Sequence, residues 1–354
     1  MKHATRWLNA SLLFLLSLTL SACLDSPMST IDTVTEWGRE INSLYLLTTI
    51  ITGIVFVAVA VPFCYALWRF RERPDDDDRL PEQIRGNHKL EILWTIIPVV
   101  LLVFIFLPTF ELILKQYEEP PKEAMRIRAI GYQWWWKFEY PDLGITTANE
   151  LFVPENTPVV IELTSNDVIH SFWIPRWGGK VDNLPGETNL IQYTTPKLEN
   201  PEGDYYWGHC AELCGLSHAR MRFQAVVLSQ ERFDSWRETF NEPPLVASAL
   251  EKHGQELFMT KTCFTCHAIE GTNAQGQIGP SLTNFGNRRL LAAGTLANDY
   301  KGMHQWLRDS VDSAPGKQKI KPGSLMVFAP GFELTDEEIE ALVAYLHRST
   351  AKTY

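Results

Sequence analysis

Apolar positions are unevenly spread along this chain, and their spacing changes twice. Residues 44–68 and 90–114 are near-continuous apolar runs, each long enough as a helix to cross a hydrocarbon core of about 30 Å. From residue 124 onward the pattern breaks into short β-like runs: Met125–Ile130, Pro158–Leu163, Asn189–Tyr193 and Phe223–Leu228. Pro, Gly and Asn punctuate them, as in an antiparallel sandwich or barrel. Asn241-Glu-Pro-Pro244 then interrupts regular structure. Beyond it the spacing turns helical, with helices expected over Ala249–Thr260 and Asp336–Arg348 and a capping box in Thr335-Asp-Glu-Glu338. The pattern alone therefore predicts a membrane hairpin, a β domain and an all-α domain.

Charge orients the hairpin. Arg69, Arg71, Arg73, Arg79, Arg85 and Lys89 lie between the two spans, against Arg39 alone in residues 24–43. The excess of Lys and Arg places this loop in the cytoplasm and both flanks outside, and the Asp75–Asp78 run does not reverse that. Ahead of the hairpin, Lys2 and Arg6 precede an apolar run from Leu12 to Leu20, the layout of a cleaved secretory signal. Its end, Leu20-Ser-Ala-Cys23, has the form of a bacterial lipobox, which makes Cys23 a lipidation candidate. Ordinary cleavage with Cys23 as a bystander is the alternative. Cys64 and Pro98 read as packing features of the spans. A length of 354 residues leaves room for two or three domains, and a net charge of −10 argues against a nucleic-acid partner.

Two stretches carry chemistry. Cys210-Ala-Glu-Leu-Cys214-Gly-Leu-Ser-His218-Ala-Arg-Met221 offers two thiolates, an imidazole and a thioether within twelve residues. Thiolate and thioether select Cu(I), and imidazole suits copper in general. Two Cys with three residues between them can share their sulfurs between two metals, and His170 is the candidate for a further ligand. A small disulfide loop or a redox Cys pair is the bland alternative. The second stretch, Cys263-Phe-Thr-Cys266-His267, is the attachment signature of a c-type haem, with two thioether bonds and His267 in an axial position. A zinc site would need more Cys or His nearby, and a thioredoxin-like motif a βαβ context. The tail after this motif resembles a class I cytochrome c, and that resemblance implies Met326, in Lys321-Pro-Gly-Ser-Leu-Met326, as the second axial ligand rather than Met303 or Met259.

The copper stretch resembles the binuclear copper (CuA) loop of subunit II of haem-copper cytochrome c oxidases, and the second span, Leu90-Glu-Ile-Leu-Trp-Thr-Ile-Ile-Pro98, resembles the same subunit. Residues 248–354 resemble a class I cytochrome c, through Gly254, Phe258, Gly279-Pro280-Ser-Leu282 and Tyr345. Together these imply a caa-type subunit II. Its layout would be a lipoprotein-type signal over 1–22, a two-helix hairpin over 23–117, a cupredoxin-like Greek-key β-barrel over 118–236, a linker over 237–247 and an all-α cytochrome c domain over 248–354. The resemblance implies copper ligation by His170, Cys210, Cys214, His218, Met221 and the backbone carbonyl of Glu212. It further implies a Mg²⁺ at the Glu212 side chain, an exposed electron-entry point at Trp134 and a proton-path acid at Glu91. Asp167, Asp182 and Asp204 receive no role. In the run Trp134-Trp135-Trp136, alternation puts the first and third on one face.

The implied function is electron delivery. Electrons would pass from covalent haem to binuclear copper and on to haem in subunit I, where oxygen is reduced to water. The implied partners are subunit I, other oxidase subunits, the membrane, and an upstream donor such as a quinol-cytochrome c reductase or a small cytochrome c. The implied location is a bacterial cell membrane, with both redox domains on the outer face. The rival reading is a membrane-anchored copper chaperone or thiol-redox assembly factor, which would need neither Met221 nor a covalent haem. A nitrous-oxide reductase would need a further large catalytic domain.

Overall fold

The computed structural model describes residues 26–71, 85–312, 319–328 and 333–347. The signal-like segment 1–22, Cys23 and the central part of the basic loop lie outside the described residues. The chain divides into two compact units, Arg39–Glu119 and the combination of Met1–Gly38 with Pro120–Tyr354.

The first unit is a helical hairpin of α1 (Glu36–Arg69) and α2 (His88–Gln116). Both helices extend a few residues beyond the apolar runs. At the start of α2, the Asn87 side chain accepts from the N–H groups of Lys89 and Leu90. Lys115 and Glu40 form a salt bridge of 2.7 Å between the helices. No residue of α2 is buried, and Phe56, Phe63 and Phe104 all point outward. Such a surface suits lipid rather than water, since hydrocarbon takes the place of a protein core. Cys64 is exposed on this surface. Pro62, Pro98 and Pro108 stay within continuous helix.

In the second unit, residues 125–228 form two five-stranded sheets. The strands are β1 (Met125–Tyr132), β2 (Trp135–Tyr140), β3 (Ile145–Ala148), β4 (Glu150–Pro154), β5 (Pro158–Ser165), β6 (His170–Trp173), β7 (Val181–Asn183), β8 (Asn189–Thr194), β9 (Asp204–Cys210) and β10 (Arg222–Leu228). One sheet runs β3-β2-β1-β5-β8 and the other β4-β10-β9-β6-β7. Two pairings, β1 with β5 and β4 with β10, are parallel, where the short runs suggested antiparallel neighbours. Parallel neighbours need crossover connections, and a period-two pattern carries no record of those. Between the sheets, Trp136 meets Phe172 and Phe223 edge-on at 5.7 and 5.5 Å, a favoured geometry for aromatic cores. Helix α3 (Gln230–Thr239), capped by Ser229, delivers Phe233 and Trp236 to the same core, and Phe240 follows them.

A second core lies in the helical part, where α4 (Ala249–Thr260) packs against α6 (Asp336–His347). The crossing depends on Gly254, because a Cβ there would stand 2.0 Å from the carbonyl oxygen of Ala341. The Thr335 box closes α6 as expected: Glu338 N–H donates to Thr335 Oγ1 at 3.3 Å, and Thr335 N–H donates to Glu338 at 2.9 Å. A second box, Ser248 with Glu251, opens α4. Between them lie α5 (Tyr300–Asp312) and a short hairpin of β11 (Leu290–Leu291) and β12 (Leu296–Ala297).

Candidate metal centres

The first centre forms where two loops of the second sheet meet. His170 opens β6, while Cys210 ends β9 and Met221 immediately precedes β10. Two stiff strands therefore fix the ends of the Cys210–Met221 loop. Cys210 Sγ lies 3.7 Å from Cys214 Sγ, well beyond the ~2.05 Å of a disulfide. His170 Nδ1 is 3.7 Å from Cys210 Sγ, and His218 Nδ1 is 3.5 Å from Cys214 Sγ. Met221 Sδ is 3.8 Å from Cys214 Sγ, and the Glu212 carbonyl is 3.1 Å from Cys210 Sγ. The other four groups named from the sequence thus surround the Cys210 and Cys214 sulfurs. The His170 imidazole fits because residue 131 is Gly, where a Cβ would stand 2.6 Å from the ring.

Electrostatics prepare this cradle for a cation. Donation from Cys214, helped by His170, holds the Cys210 thiol well below the usual thiol range, while Cys214, as the donor, is pushed up. Binding a metal through both sulfurs would require both thiols deprotonated. Burial opposes charge on His170, yet hydrogen bonding to Asp167 and Cys210 leaves its pKa raised. Asp167 Oδ1 takes His170 Nε2 at 2.8 Å and so turns Nδ1 toward the sulfurs, a common device for orienting metal-binding imidazoles. This carboxylate had no role in the sequence reading; a carboxylate three residues before a candidate ligand His was the available signal. Gln133 was also overlooked. Its side chain donates to the Cys214 carbonyl at 2.7 Å, and its N–H donates to Asp167 at 2.7 Å. Asp204 instead closes its own loop, accepting from Glu199 N–H and Asn200 Nδ2. Asp182 is an exposed residue of β7.

Trp134 departs from expectation in two ways. It lies in the turn before β2 rather than in the strand, and it is buried, with 7% exposure. Its indole N–H donates to the Cys214 carbonyl at 2.9 Å. Its ring is covered by the turn at Gly323, where a Cβ would come within 2.4 Å of it. Trp136 is fully buried, and Trp135 stacks on Tyr132 at 4.5 Å.

The second centre is a cavity of about 350 Å³ lined by Cys263, Cys266, His267, Met303 and Met326, and also by Gln133, Trp134 and Trp135 of the β domain. His267 Nδ1 is 2.8 Å from the Pro280 carbonyl, which assigns the N–H to Nδ1 and leaves Nε2 free as a ligand. Its ring lies over Gly279, where a Cβ would stand 2.6 Å from it. Burial lowers the His267 pKa against the pull of Pro280, so the imidazole is held in the neutral form that binds iron. Two thiols, a neutral imidazole and a thioether around one apolar cavity fit a covalent haem.

The β and helical domains meet around these two centres. The Arg289 guanidinium stacks on Tyr205 at 3.7 Å, and Arg222 N–H donates to the Ala293 carbonyl at 3.1 Å. Glu150, on β4, is 3% exposed and accepts from Arg289 N–H at 2.9 Å. Burial pushes Glu150 up to about 7, against the pull of Arg288 and of the neighbouring N–H groups. An acid whose pKa is raised in the packed state takes up a proton on packing. Its contribution to stability is therefore full below about 4.5 and is lost as pH rises to about 7. In thermal melts of the detergent-solubilised chain, Glu150→Gln should flatten the pH dependence in this window. An identical pH profile in wild type and variant would reject Glu150 as its source.

On the remaining hairpin, Glu91 is in the first turn of α2, 3.0 Å from His88 Nδ1. Glu212 is exposed beside the sulfur pair.

Two helices of membrane-spanning length, a soft-ligand cradle and, beside it, an apolar cavity lined by Cys263, Cys266 and His267 are the parts of an electron-transfer protein. Comparison with known families makes this specific. Residues 32–112 match the cytochrome c oxidase subunit II transmembrane domain, 143–228 its periplasmic domain, and 251–350 cytochrome c. Cytochrome c oxidase subunit 2 of Alkalihalophilus pseudofirmus is 35% identical, over 98% of this chain and 97% of its own. The subunits 2 of Bacillus sp. PS3 and Bacillus subtilis are each 36% identical, over 98% and 96% of this chain and 98% and 97% of their own. The chain belongs to the cytochrome c oxidase subunit II family.

Proposed function

We propose that this subunit accepts electrons at haem held by Cys263, Cys266, His267 and Met326, and delivers them through CuA, held by His170, Cys210, Glu212, Cys214, His218 and Met221, to subunit I. The observation that carries the proposal is the burial of Trp134 between the two centres, with its ring against Gly323 and its N–H on the Cys214 carbonyl. When bound, haem and copper supply reversible one-electron chemistry; the residues supply fixed positions. Strands β6, β9 and β10 hold the copper ligands through a redox change, and little movement means little reorganisation. Gln133 and Trp134 both donate to the Cys214 carbonyl, which restrains the ligand loop on its inner side. Exposed Glu212, with its side chain free, is the Mg²⁺ candidate at the contact with subunit I, and Glu91 is the proton-path candidate. A copper chaperone or thiol-redox factor is not favoured, because neither needs a haem domain seated on the copper domain.

The same proposal places both redox domains outside the cell membrane, on the charge asymmetry of the hairpin. The upstream donor is of the quinol-cytochrome c reductase or small-cytochrome class. Rapid mixing with a donor that meets only the helical domain tests the order of transfer. Haem should reduce first and copper should follow. Copper reduced before haem would reverse the proposed order, and a reporter retained in the cytoplasm when fused after Glu119 would reverse the topology.

A further inference from the structure

The backbone that leads into Met326 is held by side chains of the copper loop. Arg220 Nη1 donates to the Lys319 carbonyl at 2.6 Å and also to the Ile320 carbonyl. Ser217, which is 1% exposed, donates from Oγ to the Pro322 carbonyl at 2.6 Å. The next residue, Gly323, has a φ of +84° and lies against Trp134. Three of four consecutive carbonyls, those of residues 319, 320 and 322, are thus taken by the β domain. The helical domain holds the same segment from the other side. Asp309 accepts from Lys319 and Ile320 N–H at 3.3 and 3.2 Å, and the buried Lys321 donates from Nζ to the Ala292 carbonyl at 3.2 Å. Ser217 and Arg220 flank His218 in sequence, and Arg220 directly precedes Met221. One loop therefore carries copper ligands and, alternating with them, the donors that grip the haem-ligand segment.

We infer that Arg220 and Ser217 are positioning residues for the haem: they strap the Lys319–Gly323 segment to the copper loop and so hold Met326 over the iron. The inference rests on Met326 being the axial ligand. In a free-standing domain of this kind the methionine segment would be held by its own domain alone. Here the copper domain completes the support, so the strength of methionine ligation depends on a neighbour that binds no haem itself.

The test uses the full chain, loaded with haem and copper, in its ferric form. Imidazole competes with methionine for ferric iron, and its rate of binding reports how often the methionine segment opens. Hydrogen bonds from a charged donor are strong enough that Arg220→Ala should speed imidazole binding about tenfold. The far-red methionine-to-iron band should weaken as well, while the copper signal is retained. Ser217→Ala should act in the same direction to a smaller extent, and Arg220→Lys should recover part of the loss. Arg289→Ala, which loosens the domain contact away from the segment, should leave the imidazole rate unchanged. An unchanged rate in Arg220→Ala, or an equal acceleration in Arg289→Ala, overturns the strap. Persistence of the far-red band in Met326→Ala would overturn the ligand reading and the strap together, whereas its loss there with no effect of Arg220→Ala removes the strap alone.

Discussion

A chain carrying both Cys263→Ala and Cys266→Ala should fail to reduce its copper from any donor that meets only the helical domain. Without the two thiols no thioether bonds form, and haem is not retained in the cavity beside His267. The route to copper would then begin at an empty pocket, since Trp134 is 7% exposed and covered by the Gly323 turn. The copper ligands belong to a different core from that of the haem pocket, so copper binding should survive. Comparing the rate of copper reduction in this variant with that of wild type, under the same donor, is the measurement. An unchanged rate would mean that electrons enter the β domain directly.

The converse variant, Cys214→Ser, should abolish the delocalised mixed-valence signal and leave haem absorbance intact. Cys214 is the hub of the copper cradle, with Cys210, His218 and Met221 at 3.7, 3.5 and 3.8 Å from its sulfur. A hydroxyl is a harder ligand than a thiolate and a poor match for Cu(I), so one metal position loses its bridge. Copper per chain should fall from two to one or fewer, read by metal analysis alongside electron paramagnetic resonance. A mixed-valence signal that persists in Cys214→Ser would show that this sulfur does not bridge.

Most of the groups that the two candidate centres bring together were legible because they are compressed into a few consecutive positions. The Cys210–Met221 stretch reads as soft-ligand chemistry and the Cys263–His267 stretch as haem attachment without any knowledge of the fold. His170 was within reach only as the partner such a cradle lacked. What stayed hidden depends on contacts between distant segments. Trp134 is buried by a glycine turn that no local pattern links to it, and its exposure was only what the family resemblance implied. Arg220 and Ser217 bind backbone carbonyls, and a carbonyl leaves no mark in a sequence. Asp167 resembles many solvated loop acids until its distance to His170 is known. The same limit applied to topology: each strand could be read from its own residues, whereas the parallel partners of β1 and β10 could not.

The pairing of β4 with β10 also sets an order of events during synthesis. Gln224 lies beside Glu150 in that ladder, and Met221 comes just ahead of β10. The half-site supplied by His170 is therefore translated long before the strand that closes the ligand loop. Contacts of such long sequence separation form late, because loop-closure entropy must be met first. The β4–β10 ladder that steadies the end of the ligand loop can therefore close only after residue 228 has been made.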